Sequence, residues 1–258
     1  MLTGVILAGG RSRRMGRDKA SIFVSGEPLW RRQARVLRKA GATRVALVLR
    51  PGQSVPPDTD KLAVQVLRDD HVDSGPIAGL HAAITAPPLA HWYLVLAVDL
   101  PKIEPDWFGW LSGFCDDGVG AIASHDTGYE PLAAIYPAAA GPVIAGQIER
   151  GEYSLQYLAD CLVQTGRLRA IPLPARRLTQ LVNWNTPADM DEKELAPACK
   201  TPGAVDAATM RGGRCAVSAA QPFGGAPDRA ADLRPQPKTS WSTDPVGLQP
   251  HFDKRMHP

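Results

Sequence analysis

Thr3-Gly4-Val5-Ile6-Leu7-Ala8-Gly9-Gly10, continuing as Arg11-Ser12-Arg13-Arg14-Met15-Gly16-Arg17-Asp18-Lys19, is the stretch on which the reading of this chain turns. Its first part is short, apolar and partly β-branched, as expected of a buried strand. Its second part mixes glycines with the basic side chains of Arg11, Arg13, Arg14, Arg17 and Lys19. Glycine lets backbone N–H groups come close to an anion, and successive N–H groups in a turn form an anion-binding nest. Arginine matches phosphate oxygens in a two-pronged geometry, and lysine adds a compact charge. Standing alone, such a cluster is as well explained by a solvated basic turn. The apolar strand in front of it changes the balance, because it puts the loop at a carboxyl edge of a sheet, where open α/β sheets bind ligands. The loop therefore suits a triphosphate. It is neither of the two commonest nucleotide loops: Lys19 does not directly follow Gly16, and no G-x-G-x-x-G occurs there.

Outward from this stretch, apolar runs alternate with helical patterns. Pro28 stands where a helix can start, Leu29, Gln33, Val36, Leu37 and Ala40 follow at helical spacing, and Gly41 supplies the stop. Arg31, Arg32, Arg35 and Arg38 fall largely on the opposite face. Strands are expected at 45–49, 64–67, 92–98, 119–123 and 132–136, and helices at 77–85, 105–114, 143–150 and 154–162. The strands lack strict alternation, as strands covered on both faces do. The expected fold class is α/β, a layered and mostly parallel sheet. From about residue 196 the character changes. Pro197, Pro202, Pro222, Pro227, Pro235, Pro237 and Pro245 punctuate a stretch without an apolar period, which is expected to be a disordered tail over 196–258. Such a composition buries too little apolar surface to offset about 1–2 kcal/mol of backbone entropy per residue fixed.

The bulk properties narrow the function classes. The chain has 258 residues, 44% hydrophobic and 21% charged, enough for one domain or for one domain plus an appendage. A net charge of +3 gives no reason to expect nucleic acid or an anionic membrane as a partner. No apolar run approaches a membrane span, and the short apolar start runs straight into charged residues, unlike a signal peptide. The expected location is cytoplasmic. Cys115, Cys161, Cys199 and Cys215 are scattered with no C-x-x-C pair, which fits neither a zinc site nor a disulfide framework.

Three later segments carry further candidates. Asp99 closes the apolar run 93–98, so its carboxylate can face the same crevice as the glycine loop and offer a hard oxygen to Mg²⁺ bridging phosphates. A turn-forming Asp is the plainer alternative. Asp69-Asp70-x-x-Asp73-x-Gly75-Pro76-x-Ala78-Gly79-Leu80 follows the third expected strand, and reads at minimum as a loop with a helix cap. In Asn183-x-Asn185-Thr186-Pro187-x-Asp189, the two asparagines alternate on an extended segment and Thr186-Pro187 suits a helix start.

Leu7-Ala8-Gly9-Gly10-x-Ser12-x-Arg14-Met15-Gly16-x-Asp18-Lys19 resembles the signature of the molybdenum cofactor guanylyltransferases, within the wider MobA-like nucleotide transferases. The likeness runs from about Leu2 to Leu195, taking in Asp99-Leu100-Pro101, the Asp69 to Gly79 segment, Pro131-Leu132-Ala133-Ala134-Ile135-Tyr136 and the Asn183 segment. The resemblance implies a domain over 1–195 with a three-layer, mostly parallel, Rossmann-like nucleotidyltransferase sheet. It implies transfer of GMP from GTP to molybdopterin (molybdenum cofactor), with or without molybdenum, and Mg²⁺ held by Asp99. Arg14 and Lys19 would act on the phosphates together with Asp99. Leu7, Ala8, Gly9, Gly10, Lys19, Asp69, Gly75, Gly79 and Asp99 would form the nucleotide side, and Pro131, Asn183 and Asn185 the acceptor side. Molybdoenzymes or their chaperones are the macromolecular partners it suggests. Where many relatives have an asparagine after the second strand, this chain has Leu49-Arg50-Pro51-Gly52. Three alternatives stay open: a cytidylyltransferase for the same cofactor, a transferase for another phosphorylated small molecule, and a non-catalytic nucleotide-binding module.

Overall fold

β1 (Leu2–Leu7) is buried along its whole length. It pairs in parallel with β4 (Arg44–Leu49) on one edge and with β6 (Trp92–Ala97) on the other, Leu7 lying opposite both Val48 and Ala97. The computed structural model describes residues 1–10, 19–69 and 74–184, with Lys19 described by its backbone alone. After β1 come the hairpin β2 (Phe23–Val24) and β3 (Glu27–Pro28), then α1 (Leu29–Lys39), β4, β5 (Val64–Arg68), α2 (Pro76–Thr85), β6 and α3 (Pro105–Ser112). The second half is β7 (Gly120–His125), β8 (Gly128–Tyr129), β9 (Ala133–Pro137), α4 (Gly141–Glu149), α5 (Leu155–Gln164) and β10 (Leu168–Pro172). The main sheet has the order β5-β4-β1-β6-β9-β7-β10, with β8 attached to β7.

Alternation of side chains across the sheet gives it two cores. Leu2, Ile6, Leu47, Leu49, Leu94 and Leu96 point to the face covered by α1 and α3, where Trp30, Leu37, Trp107 and Phe108 are buried. Val5, Leu7, Val48, Tyr93 and Val95 point to the face covered by α2, α4 and α5, against Ile77, Leu80, Ile144, Leu158 and Leu162. The result is the expected three-layer α/β sheet, and no helix among the described residues is long and apolar enough to cross a membrane. α1 presents its expected apolar stripe and ends as expected: Gly41 has φ +101, its N–H donates to the Arg38 carbonyl, and Ala42 N–H donates to Leu37.

Most strands run parallel, but β9 is antiparallel to both β6 and β7. The cause is the short link from β7. Only residues 126–132, which include the small strand β8, separate β7 from β9, and a parallel return needs a crossover of a dozen or more residues. β10 escapes a hydrophobicity reading because it is half exposed, with only Leu168 and Ile171 buried beside an arginine and a proline. The expected tail at 196–258 and the boundary at 195 lie outside the described residues.

Gly120 starts β7 where a Cβ would collide with the Ile135 carbonyl oxygen and lie 2.8 Å from a Leu168 methyl. The backbones of β7 and β9 can approach only because the side chain is missing. Gly120→Ala is expected to lose about 3 kcal/mol or more of stability in urea unfolding, as overpacking against backbone does. An unchanged midpoint would show that the β7–β9 pairing gives way easily.

Candidate active site

Because β1, β4, β5 and β6 are parallel, their carboxyl ends share one edge. The turn after β1 and the 50–53 turn beside it are held there by backbone bonds, by buried Gln53 and by exposed Arg68. Ala8 N–H donates to Val48 at 2.9 Å, and Val98 N–H donates to Leu7 at 3.1 Å, tying the turn to both neighbouring strands. Gln53 is buried; its amide donates to the Ala8 carbonyl at 3.2 Å and accepts the Arg50 N–H at 3.1 Å. Arg68 holds the same turn from the other side, donating to the carbonyls of Arg50 and Gln53, each at 2.9 Å. The 50–53 turn is therefore packed against the glycine turn. This turn includes the Leu49-Arg50-Pro51-Gly52 stretch that the sequence reading sets apart from relatives; Gln53 and Arg68 carry no motif that sequence reasoning could find.

Asp69 reaches the same place. Its N–H donates to Leu49, and a Cβ on Gly9 would lie 3.4 Å from its Oδ2 and 3.2 Å from the Arg50 nitrogen. Gly10 opens outward, with nothing within 4 Å of a Cβ built on it. Leu7 and Ala8 send their side chains into opposite cores, so only their backbone reaches this edge. Gly75 caps α2 with φ +66, and Pro76 begins the helix. Gly79 serves packing: a Cβ there would meet Leu7 at 3.1 Å and Val48 at 3.3 Å, so its small size lets α2 lie close to the sheet. Lys19 opens a short helical turn, Lys19–Ser21, while Arg14 and Asn185 lie outside the described residues, as do Asp70 and Asp73.

Asp99 stands in the turn after β6, half-buried, one strand over from Gly9. Its turn is pinned from beneath by α1. Buried Gln33 donates to the carbonyls of Ala97 at 3.2 Å and Leu100 at 2.9 Å, on either side of Asp99. Arg32 donates to Pro101 at 2.7 Å and pairs with Glu104 at 2.6 Å. From the other direction Trp184 N–H donates to the Asp99 carbonyl at 3.0 Å, and the Trp184 ring is buried in the α1/α3 core. That anchor brings exposed Asn183 to the Asp99 turn. Gln33 falls at a stripe position of α1, which its burial explains. Trp184 carries no motif of its own beside the asparagines.

Beyond β6, Ala97 N–H donates to Leu132 at 2.8 Å, which sets the 130–132 turn beside Asp99. Pro131 is buried, and its carbonyl accepts the Tyr136 hydroxyl at 3.0 Å. Glu130 lies next to it and pairs with His125 at 3.1 Å. Burial pushes the Glu130 carboxyl above the usual carboxylate range, and His125 pulls it partly back. Cys115 belongs to the structural background: burial pushes its thiol up to about 12, so it stays protonated at neutral pH. Among the described residues no three His, Cys, Asp or Glu side chains gather as a metal cage.

An open, mostly parallel sheet with a glycine turn and two carboxylates along its carboxyl edge is the arrangement of an α/β protein that binds a phosphorylated ligand at its strand ends. The chain belongs to the MobA-like NTP transferase family, whose domain model matches residues 4–164. It is therefore a nucleotidyltransferase. A curated relative from Opitutus terrae, named a probable molybdenum cofactor guanylyltransferase, is 45% identical over 194 residues, covering 74% of this chain and 94% of the relative. One of the same name from Synechococcus elongatus is 34% identical over 199 residues, covering 74% and 97%. Among solved structures, molybdopterin-guanine dinucleotide biosynthesis protein A from Archaeoglobus fulgidus matches with a TM-score of 0.56 and 25% identity, over 74% of this chain and 96% of that one. A nucleotidyl transferase from Methanothermobacter shares the fold, with a TM-score of 0.61 and 20% identity, over 73% and 94% of the two chains.

Gln53→Ala is expected to leave the Ala8 carbonyl and the Arg50 N–H without this partner in a buried setting. The expected loss is about 1–3 kcal/mol in urea unfolding, with faster amide exchange at Arg50. Wild-type stability in that variant would mean the two turns hold together without the glutamine.

Proposed function

We propose that this chain transfers GMP from GTP to molybdopterin and releases pyrophosphate, giving the guanine dinucleotide form of the cofactor. The observation that carries the reading is the placement of the Gly9 turn with Asp69, and of Asp99, on neighbouring strand ends of one sheet edge. The relative from Opitutus terrae, matched over 94% of its own length, supports the choice of nucleotide and acceptor.

In this reaction an oxygen of the terminal phosphate of molybdopterin attacks the α-phosphorus of GTP. The bond from that phosphorus to the oxygen bridging to the β-phosphate breaks, and pyrophosphate carries away the bonding pair. The backbone N–H groups of Gly9 and Gly10 take the phosphate tail at the open side of the turn, with the backbone of Leu7 and Ala8 shaping its base. Lys19 and Arg14 neutralise the charge of the phosphates, as loosely bonded transition states of this kind require. Asp69 stays beside Gly9 and holds the nucleoside. Gly75 frees the entry to α2, and Gly79 brings that helix close under the nucleotide side. Pro131, Asn183 and Asn185 border the acceptor.

The residues present suit a divalent ion: Mg²⁺ is commonly held by one or two carboxylates plus substrate phosphates, and needs no protein cage. Asp99 would hold it, half-buried at the strand end, and the ion would supply charge neutralisation on the phosphate oxygens. Gln33, Arg32 and Trp184 fix the backbone on which that carboxylate stands.

Pyrophosphate release is to be measured with GTP, CTP and ATP, each with Mg²⁺ and molybdopterin. Release confined to GTP is expected. Asp99→Asn is expected to cut it by about 10²–10³ or more while the folded protein persists, because its backbone bond to Trp184 is kept. Release from CTP alone would overturn the base assignment, and full turnover in the variant would overturn the role of Asp99.

A further inference from the structure

The acceptor end of the site has a feature that the transfer chemistry leaves unused. Glu130 and His125 stand at the sheet edge on the far side of Asp99 from the glycine turn. The strand order β1-β6-β9-β7 requires this: Gly9 follows β1, Asp99 follows β6, Glu130 precedes β9, and His125 ends β7. The pair is held in place. Glu130 N–H donates to the Ala123 carbonyl at 2.9 Å, and its own carbonyl accepts Ala133 N–H at 3.2 Å. The Thr127 N–H donates to His125 Nδ1 at 3.3 Å, which leaves the ring proton on Nε2, and that proton goes to Glu130 Oε1 at 3.1 Å. The side chains of Glu130 and His125 keep 25% and 30% of their surface. Glu130 Oε2 is bonded by none of the described residues.

A half-buried carboxylate kept in one position, with one oxygen tied down and the other open, is a poor neighbour for phosphate and a good acceptor for N–H donors. In-line displacement sets which part of the acceptor comes here. The attacking oxygen arrives opposite the departing pyrophosphate, and the pyrophosphate lies at the glycine turn. The acceptor therefore extends over β9 and β7, its phosphate at Asp99 and its ring system further out. A pterin ring offers two adjacent donors, the ring N–H and the exocyclic amino group of its aminopyrimidinone edge, which match a carboxylate in charge and direction.

We propose that Glu130, positioned by His125, is a recognition residue that reads the aminopyrimidinone edge of the acceptor. The inference rests on the transfer reaction proposed above. Glu130→Gln is the informative change: the amide oxygen still accepts the His125 proton, and the cost of burying a charge is removed, so the fold is retained.

The first measurement is fluorescence titration of pterin into the protein saturated with GTP, alongside lumazine, whose 2-oxo group replaces the amino donor. Wild type is expected to prefer pterin, and Glu130→Gln is expected to weaken pterin by about 10- to 100-fold, the usual worth of a hydrogen bond to a charged group, leaving GTP affinity unchanged. His125→Ala is expected to fall between the two. The second measurement is turnover with molybdopterin, where the same variant raises the KM for molybdopterin and leaves kcat within a few-fold. Equal pterin affinity in wild type and Glu130→Gln, or equal weakening of GTP and pterin, overturns the inference. If wild type turns over molybdopterin while the variant matches it in every respect, only this inference fails. If wild type turns over no molybdopterin, the reaction itself is wrong and the inference falls with it.

Discussion

β1 is the constraint on which the rest depends. It is paired on both edges and covered on both faces, so each of its residues faces a core, and its backbone N–H and C=O groups are directed to β4 and β6. A strand in that position has no freedom to shift: moving it by one residue would exchange Val5 and Leu7 with Ile6 between the two cores. The register of its last residue is thereby fixed, and with it the point at which Gly9 and Gly10 leave the sheet. Parallel pairing then delivers the ends of β4, β5 and β6 to that same edge. The site follows from where the sheet stops.

The turns at that edge would be loose if they depended on their own bonds. They are fastened instead by side-chain amides and guanidinium groups that come from within the fold. Gln53 and Arg68 close the turn after β4 against Ala8, while Gln33 and Arg32 of α1 hold the turn that bears Asp99. Gln33 and Gln53 are buried, and the desolvation of each amide is offset by the backbone hydrogen bonds its NH₂ group donates. Their location at the functional edge, away from the centre of either core, suits a task of holding backbone in one conformation. A carboxylate displaced by an ångström from the phosphate it serves loses much of its effect.

The layered sheet was legible because its signals are local and repeated. The β1 run, the α1 stripe with its Gly41 stop and the apolar run ending at Asp99 each announce themselves within a dozen residues. The direction of β9 was hidden, since hydrophobicity is the same for either direction and only the shortness of the 126–132 link decides it. β10 was hidden because an edge strand needs few buried residues, and Arg169 and Pro172 mask the two it has. In the site, Gly9, Asp69 and Asp99 stood out as chemistry at strand ends, and the fold brings them to one edge. Gln33, Gln53 and Trp184 did not, because their work depends on partners 45 to 85 residues away in sequence: Gln53 on Ala8, Gln33 on Ala97, and Trp184 on Asp99. Gly79 is expected on the nucleotide side from the resemblance, and a Cβ there would meet Leu7 and Val48, so its smallness also serves packing, which the sequence does not announce.

The order of strands also sets the order of groups along the edge. Gly9 follows β1, Asp69 follows β5 and Asp99 follows β6, while Glu130 and His125 stand beyond Asp99 on β9 and β7. Under the proposed reaction, the triphosphate sits at the Gly9 turn, and a carboxylate at Glu130 disfavours it on the β9 and β7 side. If Glu130 reads the acceptor as proposed, an acceptor with a phosphate and a ring bearing N–H donors lies with its phosphate at Asp99 and its ring outward over β9 and β7. The mixed sheet makes this division possible: the reversed β9 returns the chain to the same edge right after β7, so that Glu130 and His125, only five residues apart, meet there. A parallel strand at that place would need a crossover helix between them, and the two side chains would no longer arrive as a pair.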